Sequence, residues 1–158
     1  MLPKHFLSDQ SPLQCGDAVA AIITSEDGRY LMQLRDDIPT IFYPGHWGCF
    51  GGGVSPGEEP RSALLRELQE ELEWQSEIGS EFVNFDFDLS PLGHGKYYRM
   101  YYEVKIREAE VSRLRLHEGA EMRLLSPETL FALPFVPYDS FATWLHFSRH
   151  RLVSNPHE

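Results

Sequence analysis

The chain has 158 residues, of which 42% are hydrophobic and 24% are charged, and its formal net charge is −10. This length suits one domain with an ordinary core, and the composition is that of a globular protein. The negative charge argues against a nucleic acid polymer as partner, because proteins that bind one present basic patches to phosphates. No apolar run approaches the roughly 20 residues needed to cross a bilayer, which argues against a membrane partner.

The start of the chain and its cysteines indicate an ordinary cytoplasmic protein. Residues 1–16 lack the continuous apolar stretch of a signal peptide, so we expect a cytoplasmic location. Cys15 and Cys49 are too few to indicate a disulfide framework, and we expect both to be reduced. No repeat or linker divides the sequence, so residues 1–158 are predicted to form a single domain.

The first predicted elements are a β-hairpin and a long loop. Ala18–Thr24 and Tyr30–Leu34 are β-leaning runs joined by a turn that ends in Asp-Gly. Residues 36–57 are rich in proline, glycine and aromatic residues and are expected to be mostly loop. A short strand is predicted within that loop, around Trp47–Phe50.

A helix is predicted next, from Pro60 toward Trp74. Proline suits the first helical position, and Leu64, Leu68 and Leu72 recur at four-residue spacing, which predicts a buried stripe. The helix carries several glutamates beside this stripe.

The second half of the sequence predicts three strands and two helices. Phe85–Leu89 and Tyr97–Ile106 are expected to pair, and Met122–Leu125 is a third strand. Ser126-Pro127 is typical of a helix start. The last helix is predicted over Tyr138–His150, with three large apolar residues on its inner face: Phe141, Trp144 and Leu145. Strands and helices alternate irregularly, which indicates a mixed α/β or α+β class.

Three carboxylates on the glutamate-rich helix are the strongest chemical signal. Glu67, Glu70 and Glu71 fall within an arc of about 100° beside the leucine stripe. Their mutual repulsion favours a cation, and hard oxygen ligands of this kind select magnesium or manganese. The cluster alone is also typical of a solvated helix face, because Arg66 precedes Glu70 by four residues.

The spacing of the whole segment resembles the Nudix box, Gly-x5-Glu-x7-Arg-Glu-U-x-Glu-Glu-x-Gly-U, in which U is apolar. The matching residues are Gly52, Glu58, Arg66, Glu67, Leu68, Glu70, Glu71 and Trp74. Glu73 replaces the glycine that helps to end the helix in that family, so the position of the helix end stays open. Phe50 stands where the family usually has proline before Gly51-Gly52.

The resemblance implies a Nudix-type fold, which is an α/β/α sandwich around a mixed β-sheet. It implies that the three helix glutamates bind Mg²⁺, with Mn²⁺ as the alternative, and that the backbone carbonyl near Gly51 completes the coordination. Arg66 is then expected to orient a neighbouring glutamate, and Glu58 to support the loop and the metal ligands. Glu67 and Glu70 are both candidates for the general base. Two further acids, Glu121 and Glu118, are alternative candidates for an additional catalytic role.

Candidate substrate contacts lie outside the box. Proteins similar to this one often present an arginine at the position of Arg35. His46 and Trp47, with Phe42 and Tyr43, lie in the long loop and are candidates to contact a base or sugar. Lys96 and Arg99 flank two tyrosines and are candidates for positive charge. For all of these residues, packing or a solvated surface is the competing interpretation.

The expected activity is Mg²⁺-dependent hydrolysis of the diphosphate link in a nucleotide-derived small molecule, such as a nucleotide sugar or ADP-ribose, by water attack at phosphorus. Three alternatives stay open. They are cleavage of a nucleotide sugar at the sugar carbon, pyrophosphohydrolysis of an oxidised nucleoside triphosphate, and nucleotide sensing without catalysis. The intact glutamate set favours attack at phosphorus. A homodimer is an open expectation, because many members of the family are dimers.

Overall fold

The computed structural model describes residues 1–156. In that part of the chain seven strands form one sheet: β1 Ala18–Thr24, β2 Tyr30–Leu34, β3 Trp47–Gly48, β4 Phe50–Gly53, β5 Ile78–Asp88, β6 Lys96–Lys105 and β7 Glu121–Leu125. The α-helices are α1 Pro60–Leu72, α2 Glu108–Val111, α3 Pro127–Phe131 and α4 Pro137–Ser148, with 3₁₀ turns at Ser90–Leu92 and Arg149–Arg151. Among residues 1–156, no helix is both long and apolar enough to span a bilayer.

The sheet divides at the β1–β2 hairpin. Thr24 pairs with Tyr30 beside the predicted turn. Beyond this point β1 pairs with β4 and, in parallel, with β6, whereas β2 pairs with β3 and β7. The strand β5 continues the sheet beyond β6. Because β1 and β2 have different neighbours, a cavity opens between the two parts of the sheet.

Helices cover both faces of the mixed sheet, which confirms the predicted α+β class and the sandwich of layers. On one face, the predicted leucine stripe of α1 packs against buried residues of β1 and β6. On the other face, Leu130 of α3 and Ala142 of α4 pack against Tyr101 and its neighbours. The two hydrophobic clusters therefore lie on opposite sides of the central strands.

The inner face predicted for the last helix is wrong. Phe141 and Trp144 are 52% and 41% exposed, and Leu145 is half-buried. The buried stripe of α4 consists instead of smaller and polar residues: Asp139, Ala142, Thr143, His146 and Ser148. These small residues let the helix lie close to the sheet, so the large rings project toward its edges, where Phe141 stacks on Phe85.

The helix α1 ends at Leu72, and Glu73 takes the role of the family glycine. Glu73 has φ 51° and ψ 37°, and its N–H bonds the carbonyl oxygens of Leu68 and Gln69. This left-handed conformation usually favours glycine. Here the Glu73 carboxylate lies 2.7 Å from the imidazole of His117. The sequence left the helix end open, and the structure places a strained non-glycine cap there.

Candidate active site

A cavity of about 870 Å³ lies between the two parts of the sheet. Such a volume is within the usual range for a small-molecule site, about 300–1,000 Å³. One end, called here the carboxylate end, is lined by Gly51, Gly52, Glu67, Glu71 and Glu118. The other end, called the aromatic end, is lined by Phe42, Phe87, Tyr97, Arg99 and Tyr138.

Two glycines of β4 bring the backbone against the glutamates of α1. Gly51 has φ +145°, and a Cβ there would overlap the backbone of Val19. Its N–H donates to a carboxylate oxygen of Glu71 at 3.0 Å. A Cβ on Gly52 would overlap the carboxylate of Glu67. The glycines are therefore needed because strand and carboxylates approach closely.

Arg66 joins the loop before α1 to the glutamates on α1. Its Nε and Nη2 donate to both oxygens of Glu58 at 2.9 and 3.0 Å, and Nη2 also donates to the carbonyl of Gly53 at 2.9 Å. Its Nη1 donates to Glu67 at 2.7 Å and to Glu70 at 3.3 Å. Arg66 therefore contacts Glu58, Gly53 and two helix glutamates at once, and its positioning role and the supporting role of Glu58 stay predictions.

Two glutamates of the carboxylate end, Glu67 and Glu71, have raised pKa values. Burial raises the pKa of Glu71 to about 8, and the nearby charges of Glu67 and Glu118 add to this, partly offset by the hydrogen bond from Gly51. Burial also raises the pKa of Glu67, against the lowering effect of Arg66. Acidic groups that repel one another in a cleft are typical of functional sites.

The same residues fit a divalent cation by their chemistry. Within residues 1–156, no three histidine, cysteine or acidic side chains converge into a preformed metal cluster. The donors present are nevertheless the hard oxygens that magnesium and manganese prefer. The buried Glu71 carboxylate carries repulsion that a cation would relieve. Glu70 is a rim residue, because its side chain is 59% exposed and does not line the cavity.

The structure separates the two alternative acids. Glu118 lines the carboxylate end and acts on the charges of Glu67 and Glu71. Glu121 lies outside the cavity lining and pairs with Arg123, two residues further along β7. Its placement does not support the predicted catalytic role, because the ion pair directs the side chain along the strand surface.

The predicted contacts in the long loop divide in the same way. Arg35 lines the cavity, and its Nε donates to the carbonyl of Phe42 at 2.9 Å. His46 and Trp47 are 6% exposed and do not line the cavity. His46 packs against Phe6 at 4.6 Å between ring centroids, so the N-terminal segment covers it. Direct substrate contact by His46 or Trp47 therefore finds no support in this geometry.

Lys96 and Arg99 have different environments although both lie on β6. Lys96 has a side chain that is 76% exposed and pairs with Asp88 away from the cavity. Arg99 lies on the floor of the aromatic end with a side chain only 14% exposed. It is not a solvated strand-edge residue, because Asp139 of α4 holds its guanidinium at 3.0 Å.

Asp139 is a residue that the sequence analysis missed. One of its oxygens accepts from Arg99 and from the hydroxyl of Tyr101, and the other accepts from the N–H of Cys49 at 2.9 Å. It thus fixes the junction of β3 and β4. Asp139, Ala142 and His146 recur at helical spacing and so share one face of α4. An acid is not expected on the inner face of a helix, because buried positions are usually apolar.

The comparisons with known proteins agree with this geometry. The NUDIX domain family matches residues 16–145. Nucleoside triphosphatase NudI of Escherichia coli O1:K1 / APEC is 46% identical over 50 residues, which are 32% of this chain and 35% of that protein. The matched segment thus spans about a third of the curated relatives' length.

Solved structures extend the likeness over most of the chain. The MutT protein from Methanosarcina mazei Go1 has a TM-score of 0.67 at 23% identity, and the match covers 92% of this chain and 100% of that one. The E. coli ORF135 protein has a TM-score of 0.64 at 25% identity and covers 88% and 94%. The fold, the box and the family match together show that the chain belongs to the Nudix hydrolase family.

Proposed function

We propose that the protein hydrolyses the phosphoanhydride bond of a nucleoside diphosphate derivative, with a divalent cation as cofactor and water attacking phosphorus. The observation that carries this proposal is that Glu67, Glu71 and Glu118 line the same end of a cavity, beside the glycine strand β4. Nucleoside triphosphates belong to this substrate class, because their attached group is a phosphate. The name of the NudI relatives supports that inclusion.

A cation would be held inside the cavity by Glu71 and the backbone carbonyl of Gly51, with Glu70 reaching it from the rim and Glu67 as a further ligand candidate. A divalent cation held there would neutralise the diphosphate and lower the pKa of a nearby water. The N–H of Gly51 orients Glu71. Arg66 holds Glu67 and Glu70 near one another through a single nitrogen.

Glu67 is the better placed of the two candidate bases. It lines the cavity with a side chain 14% exposed, whereas the Glu70 side chain is 59% exposed. Its raised pKa makes its carboxylate a stronger base than usual. In the proposed step Glu67 takes a proton from water, the water oxygen bonds to phosphorus, and the bridging P–O bond breaks. The leaving group departs with the electron pair of that bond.

Arg35 is proposed as the contact for the substrate phosphates. It lines the cavity, and among residues 1–156 no carboxylate forms an ion pair with it. The two aspartates beside it in sequence are engaged elsewhere, since Asp37 accepts from Lys4 and His5, and Asp36 accepts from Gly119. Its charge is therefore available to an anionic ligand.

Phosphorus NMR tests the proposed reaction. The purified protein is incubated with Mg²⁺ or Mn²⁺ and a panel of nucleotide sugars, ADP-ribose, dinucleoside polyphosphates and nucleoside triphosphates. We expect cation-dependent release of a nucleoside monophosphate and loss of turnover after chelation. Glu71→Gln is expected to lower turnover at least about 100-fold, because even residues behind metal ligands contribute 10- to 100-fold. The exposed Glu77→Gln is the matched control and should retain activity. An active Glu71→Gln enzyme with unchanged cation dependence would contradict the proposal.

A further inference from the structure

The aromatic end of the cavity contains an arginine with unused hydrogen-bond donors. The Nε of Arg99 donates to an Asp139 oxygen, Nη2 lies 3.0 Å from that same oxygen in the ion pair, and Nε also contacts the hydroxyl oxygen of Tyr101 at 3.0 Å. Within residues 1–156, no hydrogen-bond acceptor meets its Nη1. Because Arg99 lines the cavity, a ligand there can accept from the free end of the guanidinium.

The charge balance at Arg99 differs from that at Arg35. Asp139 is 1% exposed and neutralises the Arg99 guanidinium. An anionic ligand would therefore add an uncompensated charge near Asp139, whereas Arg35 has no such partner among the described residues. Phosphates are accordingly directed to Arg35 and the carboxylate end. The Arg99 pair suits a neutral acceptor, such as a carbonyl oxygen.

The walls around Arg99 suit a flat ring. The Tyr138 ring lies 4.9 Å from the guanidinium carbon of Arg99, and it contacts Phe87 at 6.1 Å between centroids. Phe87 and Tyr97 also line this end. Aromatic walls stack on nucleobases without regard to their identity. Any discrimination between bases must therefore come from the polar groups at the base edge.

We propose that Arg99 selects an oxo nucleobase, namely guanine, cytosine, uracil or thymine, and rejects adenine. This rests on the proposed function, which places a nucleotide in the cavity. Each oxo base offers a carbonyl oxygen to the free guanidinium donors, and guanine offers O6 beside N7. Adenine has no carbonyl, and its acceptors N1 and N7 both stand beside the N6 amino group. Its donor would face the donors of Arg99.

The Asp139 carboxylate does not compensate for this by accepting a hydrogen bond from the adenine amino group. One of its oxygens already accepts from Arg99 and Tyr101, and the other accepts from Cys49. Asp139 is also 1% exposed and does not line the cavity, so the remaining lone pair on its second oxygen is closed to a ligand. The Arg99–Asp139 pair thus offers the ligand donors and no free acceptor, which sharpens the substrate class by favouring oxo nucleotides over adenine nucleotides.

The test is isothermal titration of the four nucleoside 5′-monophosphates GMP, CMP, UMP and AMP into the full chain with Mg²⁺. The oxo nucleotides are expected to bind at least about 10-fold more tightly than AMP, because one good arginine–base pair discriminates by roughly 5- to 150-fold. Arg99→Met with Asp139→Asn removes both charges together and should reduce this preference to about 3-fold or less. Arg107→Met, at an exposed arginine, is the matched control and should keep the preference.

Several results would overturn the proposal. They are AMP binding as tightly as the oxo nucleotides, no binding of any of the four, and a preference that survives in the double variant. The wild-type titration decides the first two even if the double variant fails to fold. Binding of products is measured apart from turnover. Equal hydrolysis of all four nucleoside triphosphates would therefore contradict the base selectivity of Arg99 but not the proposed reaction. Selective binding without hydrolysis would contradict the proposed reaction but not the base selectivity.

Discussion

Arg99 lines the aromatic end of the cavity, whereas Arg66 lies behind the carboxylate end and bonds Glu67 there, and the two arginines have opposite patterns of bonding. All three nitrogens of Arg66 donate to protein groups, which lie on the loop before α1 and on α1 itself. Arg99 directs two nitrogens to Asp139 and, among residues 1–156, leaves Nη1 without a protein acceptor. An arginine whose donors are all used can only hold parts of the protein. One with a free end in a cavity can meet a ligand.

The surroundings of the two arginines differ as well. Arg66 has a side chain 34% exposed, and its partner Glu70 reaches solvent. Arg99 and Asp139 have side chains 14% and 1% exposed. Burial lowers the pKa of Arg99, but Asp139 outweighs this and holds the pKa above its ordinary value.

The largest effect on stability is expected at the aromatic end. Arg99→Met leaves Asp139 buried without its cation and should lower the free energy of unfolding by about 3 kcal/mol. Arg66→Met leaves carboxylates that are partly solvated, and it should lower the free energy of unfolding by about 1 kcal/mol. Urea unfolding followed by circular dichroism measures both. Equal losses for the two variants would show that the contrast in burial has no energetic consequence.

A substitution at the carboxylate end is expected to lower the turnover rate and to change the free energy of unfolding little. In Gly52→Ala the new Cβ overlaps the Glu67 carboxylate, the end of a flexible side chain that can move. Turnover should fall about 100-fold, because a displacement of about 1 Å can cost this much, while unfolding changes little. Gly53→Ala is the matched control, since the nearest atom to its Cβ would be the Asp17 carbonyl oxygen at 4.0 Å. Equal rates in the two variants would remove Glu67 from the proposed mechanism.

A smaller effect is expected at the end of α1. Glu73 has φ 51°, where a side chain other than glycine is strained. Glu73→Gly and Glu73→Ala both lose the contact with His117, so their difference isolates the backbone. The free energy of unfolding should be about 1 kcal/mol higher for the glycine variant than for the alanine variant. Thermal and urea unfolding measure this, and a more stable alanine variant would contradict the assigned cap.

The smallest effect is a pH dependence from Glu58. The hydrogen bond from Arg66 lowers the pKa of Glu58 to about 2, below the value near 4.3 expected in the unfolded chain. A lowered folded pKa contributes stability that is complete above the unfolded value and is lost as the pH falls toward 2. Wild type should therefore lose more stability than Glu58→Gln between pH 5 and pH 3, as urea titrations at the two values would show. Parallel losses would contradict the ion pair.

The box was predictable because its geometry is local. Glu67, Glu70 and Glu71 lie on one continuous helix, so their spacing alone fixes their common face. The pairing of Arg99 with Asp139 joins residues 40 positions apart and depends on how α4 packs against β6. No local pattern reports such a contact. The same reason explains why α4 was assigned the wrong inner face, since small residues rather than large rings face the sheet.

The loop residues show a second limit of sequence reasoning. The sequence made Arg35, His46 and Trp47 candidates for ligand contact, but of these three only Arg35 lines the cavity. The other two are covered because Trp47 joins β3 and His46 packs under the N-terminal segment. Their burial follows from tertiary contacts with residues far away in sequence. Glu118 lines the cavity and Glu121 does not, and this difference likewise depends on the path of the chain before β7 and not on a local pattern.

Hydrolysis in ¹⁸O-labelled water tests the central claim most directly. The protein, with Mg²⁺ and the nucleotide substrate found by the NMR panel, is allowed to turn over, and the products are examined by mass spectrometry. We predict that the label enters a phosphate group of one product and that Glu71→Gln forms this product at least about 100-fold more slowly. Label in the sugar of a nucleotide sugar, with none in phosphate, would contradict attack at phosphorus.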